Sequence, residues 1–205
     1  RIGSVEPGTV ELELARLMAR TDNICHFLHL PIQSADDTVL GRMGRRYTSG
    51  AMAQAISEII RLLPDVGLGT DIITGFPGET GEAFRKTRDF LNAFPFNNLH
   101  VFPYSERPGT PAAKFDGSVA VAERRERARD LIALGANLKR KDAFRRVDRP
   151  TEALVERFDK RGLAHGWSGE YLPCAIRRVP RDHLRKLVAF VPDRAEGETL
   201  CGALP

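Results

Sequence analysis

From Arg1 to about Arg146, short apolar runs alternate with longer helical patterns, the signature of β/α units around a parallel sheet. Residues 1–5 read as a first strand and residues 10–19 as a helix with Leu12, Leu14, Leu17 and Met18 available for packing. Residues 25–32 form the second strand. Ser34-Ala-Asp-Asp37 has capping-box-like spacing, with Asp in place of the usual Glu, and opens a short helical turn through Leu40 and Met43. Met52, Ile56, Ile59, Ile60 and Leu63 recur at three- and four-residue spacing, so they share one helix face, and Pro64 ends that helix. Residues 67–75 predict the third strand. Thr87, Phe90, Leu91 and Phe94 make the stripe of a helix closed by Pro95, and residues 99–104 predict the fourth strand. A long, highly charged helical pattern then runs over residues 119–144, for which a solvated helix with local ion pairs is expected.

After Pro150 the texture changes. Residues 151–157, 171–178, 187–191 and 199–204 are short β-type runs separated by Gly, Pro and Asp, with no helix-length pattern among them. The expected organisation is an α/β part over residues 1–149 and a small antiparallel barrel or sandwich over residues 150–205.

Composition adds limits. The chain has 205 residues, 42% hydrophobic and 28% charged, enough for one ordinary core and a smaller second one. Lys and Arg total 31 against 27 for Asp and Glu, and the resulting net charge of +4 permits RNA as a partner without demanding it. Cys25, Cys174 and Cys201 are far apart and show no CxxC spacing, which fits a reducing cytosol. No apolar run reaches membrane-span length and no leader precedes the first element, so a soluble, cytoplasmic protein with no membrane partner is expected. The chain opens on Arg1 directly into a strand pattern, and the start of the polypeptide is expected to lie upstream.

The candidate chemistry follows the strands. Ser4-Val-Glu6-Pro7 comes after the first, Pro31-Ile-Gln33-Ser34 after the second, Thr74-Gly-Phe-Pro-Gly-Glu-Thr80 after the third and Pro103-Tyr-Ser-Glu-Arg-Pro-Gly-Thr-Pro111 after the fourth. All four sets fall at the carboxyl edge of one parallel sheet, where α/β folds hold ligands. Each loop alone also reads as a turn followed by a helix cap.

Read in order, these segments resemble the radical-SAM methylthiotransferase family. The resemblance rests on RIGSVEP, on HLPIQS followed by RMGRRYT, on TDIITGFPGET and on FPYSERPGTPA, and it covers nearly the whole chain. The wording LHVFPYSERPGTPAA leans toward the branch acting on threonylcarbamoyladenosine. The resemblance implies a partial TIM-type (β/α) barrel that binds S-adenosylmethionine on a 4Fe–4S cluster served by a reducing system. It further implies an enzyme that adds a 2-methylthio group to that adenosine, next to the anticodon in the tRNA anticodon loop. GWSGEYLPCAIR and the closing ETLCGAL are similar to the small RNA-binding β-barrel called TRAM.

Residue by residue, Glu6 and Ser4 suit a ribose diol, Gln33 the polar groups of the cofactor and Arg45 the methionine carboxylate. Asp71 and the backbone at Gly75 would line the adenosine side, glycine allowing close approach. Tyr104 and Arg107 are assigned to the RNA, together with Trp167, Tyr171 and Arg177 of the tail, through base stacking and phosphate contacts. Rival readings stay open: Arg45 as a solvated charge, Asp71 in a structural hydrogen bond, Gln33 as a turn cap, and Trp167 and Tyr171 as core. No catalytic residue is assigned, and no metal ligand. Cys25-His26-Phe-Leu-His29 does not make a local chelate on a strand. The family's CxxxCxxC loop is absent from this sequence and is expected upstream of Arg1, so the chain alone is expected to be inactive. The alternatives are an RNA-binding module, or a methylthiotransferase acting on isopentenyladenosine in tRNA or on a ribosomal-protein aspartate.

Overall fold

The structure, a computed structural model, describes residues 1–7 and 11–204. Its elements in chain order are α1 (Glu11–Met18), β1 (Phe27–His29), α2 (Asp37–Arg42), α3 (Ser49–Leu62), β2 (Gly67–Thr74), α4 (Gly81–Ala93), β3 (Phe96–Pro103) and α5 (Val121–Arg145). Five strands follow: β4 (Thr151–Phe158), β5 (Ala164–Ser168), β6 (Pro173–Arg177), β7 (Leu187–Glu196) and β8 (Thr199–Ala203).

The first part is a parallel sheet in the order β1-β2-β3, a partial TIM-type α/β arrangement. Its helix-covered side is the main core, where Leu28, Leu30, Ile32, Leu68, Ile72 and Phe96 pack with Ile56, Ile59 and Leu91 of the helices. Three strands stand where four were expected. Residues 1–5 contribute only an isolated bridge between Ser4 and His29 and one bond from the Val5 amide to the His29 carbonyl. Pro7 has no amide hydrogen with which to extend that ladder. The second strand is also shorter than expected, because Pro31 interrupts it. Pairing resumes beyond, where Gln33 bridges Ile72.

Residue 10, the expected start of the first helix, lies outside the described residues. Within α1, Ala15 and Met18 are buried, whereas Leu17 faces solvent, contrary to its expected packing role. The cap of α2 is Asp36 and not Ser34: Asp36 Oδ1 accepts from the Thr38 and Val39 amides, both at 3.1 Å. Ser34 instead accepts from the Asp36 amide and lies 3.3 Å from the Thr87 hydroxyl.

The long helix departs most from expectation. α5 lies against β3, and besides Leu131 and Leu138 it buries Arg124, Arg127 and Asp142. These charges are tolerated because each is satisfied by several hydrogen bonds within the fold. Asp142 accepts from Asn97 of β3 at 2.8 Å and from Arg145 and Arg146 at the helix end.

The remaining strands close into a barrel in the order β4-β5-β6-β8-β7, with one parallel pair, β6 and β8. Val155, Ile176, Val188, Phe190 and Leu200 fill it. β5 has no counterpart in the sequence reading. Its Gly166 sits where a side chain would collide with the Leu154 carbonyl.

Candidate functional site at the carboxyl edge of the sheet

Three loops leave the carboxyl edge of the sheet, and arginines of α5 hold the second and third. The loop after β1 turns at Gln33, whose φ of 62° is unusual for a residue with a side chain. Its backbone is fixed on both sides, the amide donating to the Asp71 carbonyl at 2.9 Å and the carbonyl accepting from Ile73 at 3.0 Å. The Tyr47 hydroxyl ties RMGRRYT back to this loop by donating to the Pro31 carbonyl at 3.1 Å, and burial pushes that phenol's pKa up.

The loop after β2 carries two glycines in the left-handed region, Gly75 and Gly78. The space a Gly75 side chain would need is taken by Arg124, and its amide donates to Glu79 Oε1 at 2.8 Å. Protein packing therefore requires the glycine on that side, a reason distinct from approach to a ligand. Arg127 donates to the Glu79 carboxylate and carbonyl and to Glu123, so a buried ion pair fixes the GFPGE turn. Burial pushes the Glu79 carboxyl above its ordinary range, although the Gly75 amide and Arg127 pull the other way.

The loop after β3 is clamped by Arg124, 3% exposed, which donates to the Val119 and Tyr104 carbonyls and to Glu106 and Ser118. Its guanidinium also covers the Tyr104 ring, and Phe76 meets the same ring edge-on at 5.1 Å.

These loops border a cavity of about 520 Å³ whose wall includes Gln33, Asp71, Ile73, Phe102, Tyr104 and Arg107. The hydroxyl of Tyr104 is buried and has no hydrogen-bond partner among the described residues, so the wall holds an unsatisfied polar group. A second cavity of about 390 Å³ adjoins it through Ile73, Thr110 and Ala112 and includes Arg42, Arg45 and Phe76.

The edge thus brings together Gln33, Asp71, Tyr104 and Arg107, with Arg45 in the adjoining space. Arg45 donates to Glu6 at 3.2 Å, so the group expected to meet a ligand carboxylate here meets a protein one. Ser4 lies lower, on a separate cavity of about 350 Å³ that also reaches Asp71. Gly75 lines none of these three cavities.

The tail aromatics lie at the junction of the two sheets. Tyr171 stacks on Trp167 at 4.9 Å and packs on Phe27 at 5.1 Å, with Arg1 over its ring and Lys139 over that of Trp167. Arg177 is exposed and pairs with Asp193. The sequence reading missed a cluster of His29, Asp71 and His100 from three neighbouring strands. Its signal in the sequence was one titratable side chain in each of three strands, His29, Asp71 and His100.

A model of the Radical SAM superfamily matches residues 2–91. Threonylcarbamoyladenosine tRNA methylthiotransferase MtaB of Bacillus subtilis (strain 168) is 36% identical over 193 residues, which is 92% of this chain and 42% of that protein. The tRNA-2-methylthio-N(6)-dimethylallyladenosine synthase of Symbiobacterium thermophilum is 35% identical over 170 residues, or 82% and 36% of the two chains. Among solved structures, coproporphyrinogen III oxidase (HemN) from Escherichia coli, described as a radical SAM enzyme, aligns with a TM-score of 0.53 at 16% identity. That alignment covers 83% of this chain and 45% of the other, and it bears on the fold alone. The α/β part is a partial barrel of the radical-SAM type. The chain belongs to the radical-SAM methylthiotransferase family, and it spans about two fifths of the length of the curated relatives it matches.

Proposed function

We propose that this chain supplies one wall of an S-adenosylmethionine site and the RNA-binding tail of a cytoplasmic tRNA methylthiotransferase acting on threonylcarbamoyladenosine. The observation that carries the reading is the edge cavity. It holds an amide side chain on a fixed, left-handed turn, a carboxylate and an unsatisfied phenol, which suit a ligand that both donates and accepts hydrogen bonds. Gln33 and Asp71 would hold the nucleoside side of the cofactor, with the backbone around Gly75 behind it on the adenosine side. Arg45 would hold the carboxylate, exchanging Glu6 for the methionine end, while Glu6 and Ser4 would turn to the ribose. Bound to a reduced 4Fe–4S cluster, that cofactor supplies one-electron chemistry at an unreactive C–H position.

The cysteines of this chain do not fit such a cluster. Cys174 and Cys201 lie in the barrel core, and burial pushes the Cys174 thiol up to about 12 and that of Cys201 upward. No step through a cluster is therefore assigned to these residues, and the chain by itself is not expected to turn over.

We read the closed five-stranded barrel as a TRAM-type module for the anticodon loop. Arg107 and Arg177 would contact phosphates, and Tyr104 would stand at the mouth of the cavity. Trp167 and Tyr171 serve the junction first, and stacking on RNA would use only their outer edges. The test is mass spectrometry of tRNA nucleosides from cells with and without the intact gene. Loss of the 2-methylthio derivative of threonylcarbamoyladenosine is expected. Loss of the isopentenyladenosine derivative instead would move the protein to the sister branch, and no change in either would overturn the reading.

A further inference from the structure

The face of the sheet away from the helices carries a polar cluster that packing does not explain. His29 of β1, Asp71 of β2 and His100 of β3 meet there, and their nearest ligand atoms all lie within 4.8 Å of one another. Asp71 Oδ1 stands 3.0 Å from His29 Nε2 and 3.1 Å from His100 Nδ1. Parallel register creates the cluster: Asp71 is paired with His100, and His29 with Gly69, two residues before Asp71 on the same strand.

The site has features of a built pocket. The His29 side chain is 9% exposed, yet among the described residues its Nε2 makes no hydrogen bond, because the Asp71 oxygen lies at the right distance but in the wrong direction. A buried ring nitrogen is thus left without a hydrogen bond among the described residues, 3.0 Å from Asp71 Oδ1. Gly69 makes this placement possible, since a side chain there would begin 2.6 Å from His29 Nδ1. The other two groups open toward the 350 Å³ cavity, Asp71 at 24% and His100 at 51% side-chain exposure.

We propose that His29, Asp71 and His100 form a binding site for a divalent first-row transition-metal ion of the Zn²⁺ or Fe²⁺ type. Two imidazoles and one carboxylate on one side of an ion, with the other positions open, are a ligand set such ions favour. Metal–ligand bonds of about 2.0–2.2 Å set adjacent ligand atoms about 3 Å apart around a six-coordinate ion and about 3.4 Å apart around a tetrahedral one, close to the spacing of both Asp71 contacts. An ion at the centre also takes the Nε2 lone pair that no hydrogen bond uses. Asn98 supplies outer support: its amide nitrogen lies 3.3 Å from His100 Nε2, and with the amide turned over its oxygen accepts the proton that nitrogen carries when Nδ1 binds metal. The open positions face the cavity bounded by Arg1, Ser4, Phe27 and Tyr171, leaving room for water or a small ligand. The site shares Asp71 with the S-adenosylmethionine reading, so ion and nucleoside would compete for that carboxylate, but metal binding itself can be tested without the cofactor because the site uses none of the cysteines.

The test uses the chelator-stripped chain, titrated with Zn²⁺ by calorimetry and with Co²⁺ by visible absorption. One equivalent should bind, with Co²⁺ showing the d–d bands of nitrogen and oxygen ligation and no thiolate charge-transfer band. His29→Ala and His100→Ala should each weaken binding by more than the roughly 10- to 100-fold typical of losing an outer-sphere partner, the class of change expected for Asn98→Ala. His183→Ala, on the far barrel, should bind as the parent does. The half-exposed His100 guards against misfolding as an explanation, since its removal should leave the circular dichroism melt unchanged. Failure of the folded parent to bind one equivalent, or parental affinity in folded His100→Ala, would overturn the proposal and leave a polar cluster held by the His100–Asp71 hydrogen bond alone.

Discussion

Arg127→Met tests how the cofactor-side turn is held. Arg127 and Glu79 are 8% and 2% exposed in their side chains, so methionine fills much of the same volume while leaving a buried carboxylate with the Gly75 amide as its remaining partner. Breaking a buried pair from one side costs about 3–5 kcal/mol. Glu79 has one escape, which is to take up a proton. From its ordinary value of 4.5, doing so at pH 7.5 costs at most about 4.1 kcal/mol at roughly 1.36 kcal/mol per unit, and less here because burial has already raised the folded value.

The expected loss at pH 7.5 is therefore about 3 kcal/mol, measured by urea unfolding followed at 222 nm. The sign with pH follows from a raised folded value: this carboxyl's contribution to stability is most favourable below the unfolded value and falls as pH rises through the folded one. The gap between parent and variant should thus shrink from pH 7.5 to pH 5. Adding Glu79→Gln should restore most of the loss. A penalty under about 1 kcal/mol, or one independent of pH and of Glu79→Gln, would refute the argument that a charged, buried pair fixes the turn.

Three further outcomes follow from the packing. Gly67→Ala should loosen the junction between the sheet and the barrel, since the added methyl would collide with the Glu170 carbonyl and press on Phe27; faster proteolysis between residues 145 and 151 is the readout. Asp36→Ala should cost about 0.5–2 kcal/mol at pH 7 through loss of the α2 cap. Burial raises the Asp36 carboxyl, but Lys86 and the Val39 and Thr38 amides lower it further, so the net shift is downward; its contribution is present above 3.8 and is lost as pH falls through the folded value, and the variant's deficit should vanish there. A maleimide at pH 7.5 should label the half-buried Cys25 while sparing Cys174, whose thiol stays protonated, until the barrel unfolds.

Much of the α/β part was legible because its helices announce themselves. α3 and α4 carry apolar stripes and stop where Pro64 and Pro95 follow, and the loops with the odd Gly, Pro and polar residues do lie at one sheet edge. What local pattern could not give was tertiary satisfaction. α5 reads as a solvated charged helix, yet Arg124, Arg127 and Asp142 are buried, each with partners at least eighteen residues away. β5 was invisible because Gly166 and His165 weaken its alternation, and only the close approach of the Leu154 carbonyl on β4 explains the glycine. The His29, Asp71 and His100 cluster depends on the register of three parallel strands, which no single segment encodes.

The claim that this edge holds the cofactor of a tRNA-modifying enzyme is tested most directly at Gln33. Glycine is the substitution to use, because it keeps the left-handed backbone while removing the amide. In cells lacking the gene, the intact gene should restore the 2-methylthio derivative of threonylcarbamoyladenosine in tRNA. The Gln33→Gly form, present at the same protein level, should restore it at least about tenfold less, corresponding to about 1.4 kcal/mol of lost binding or transition-state stabilisation. Full restoration by Gln33→Gly would contradict the account.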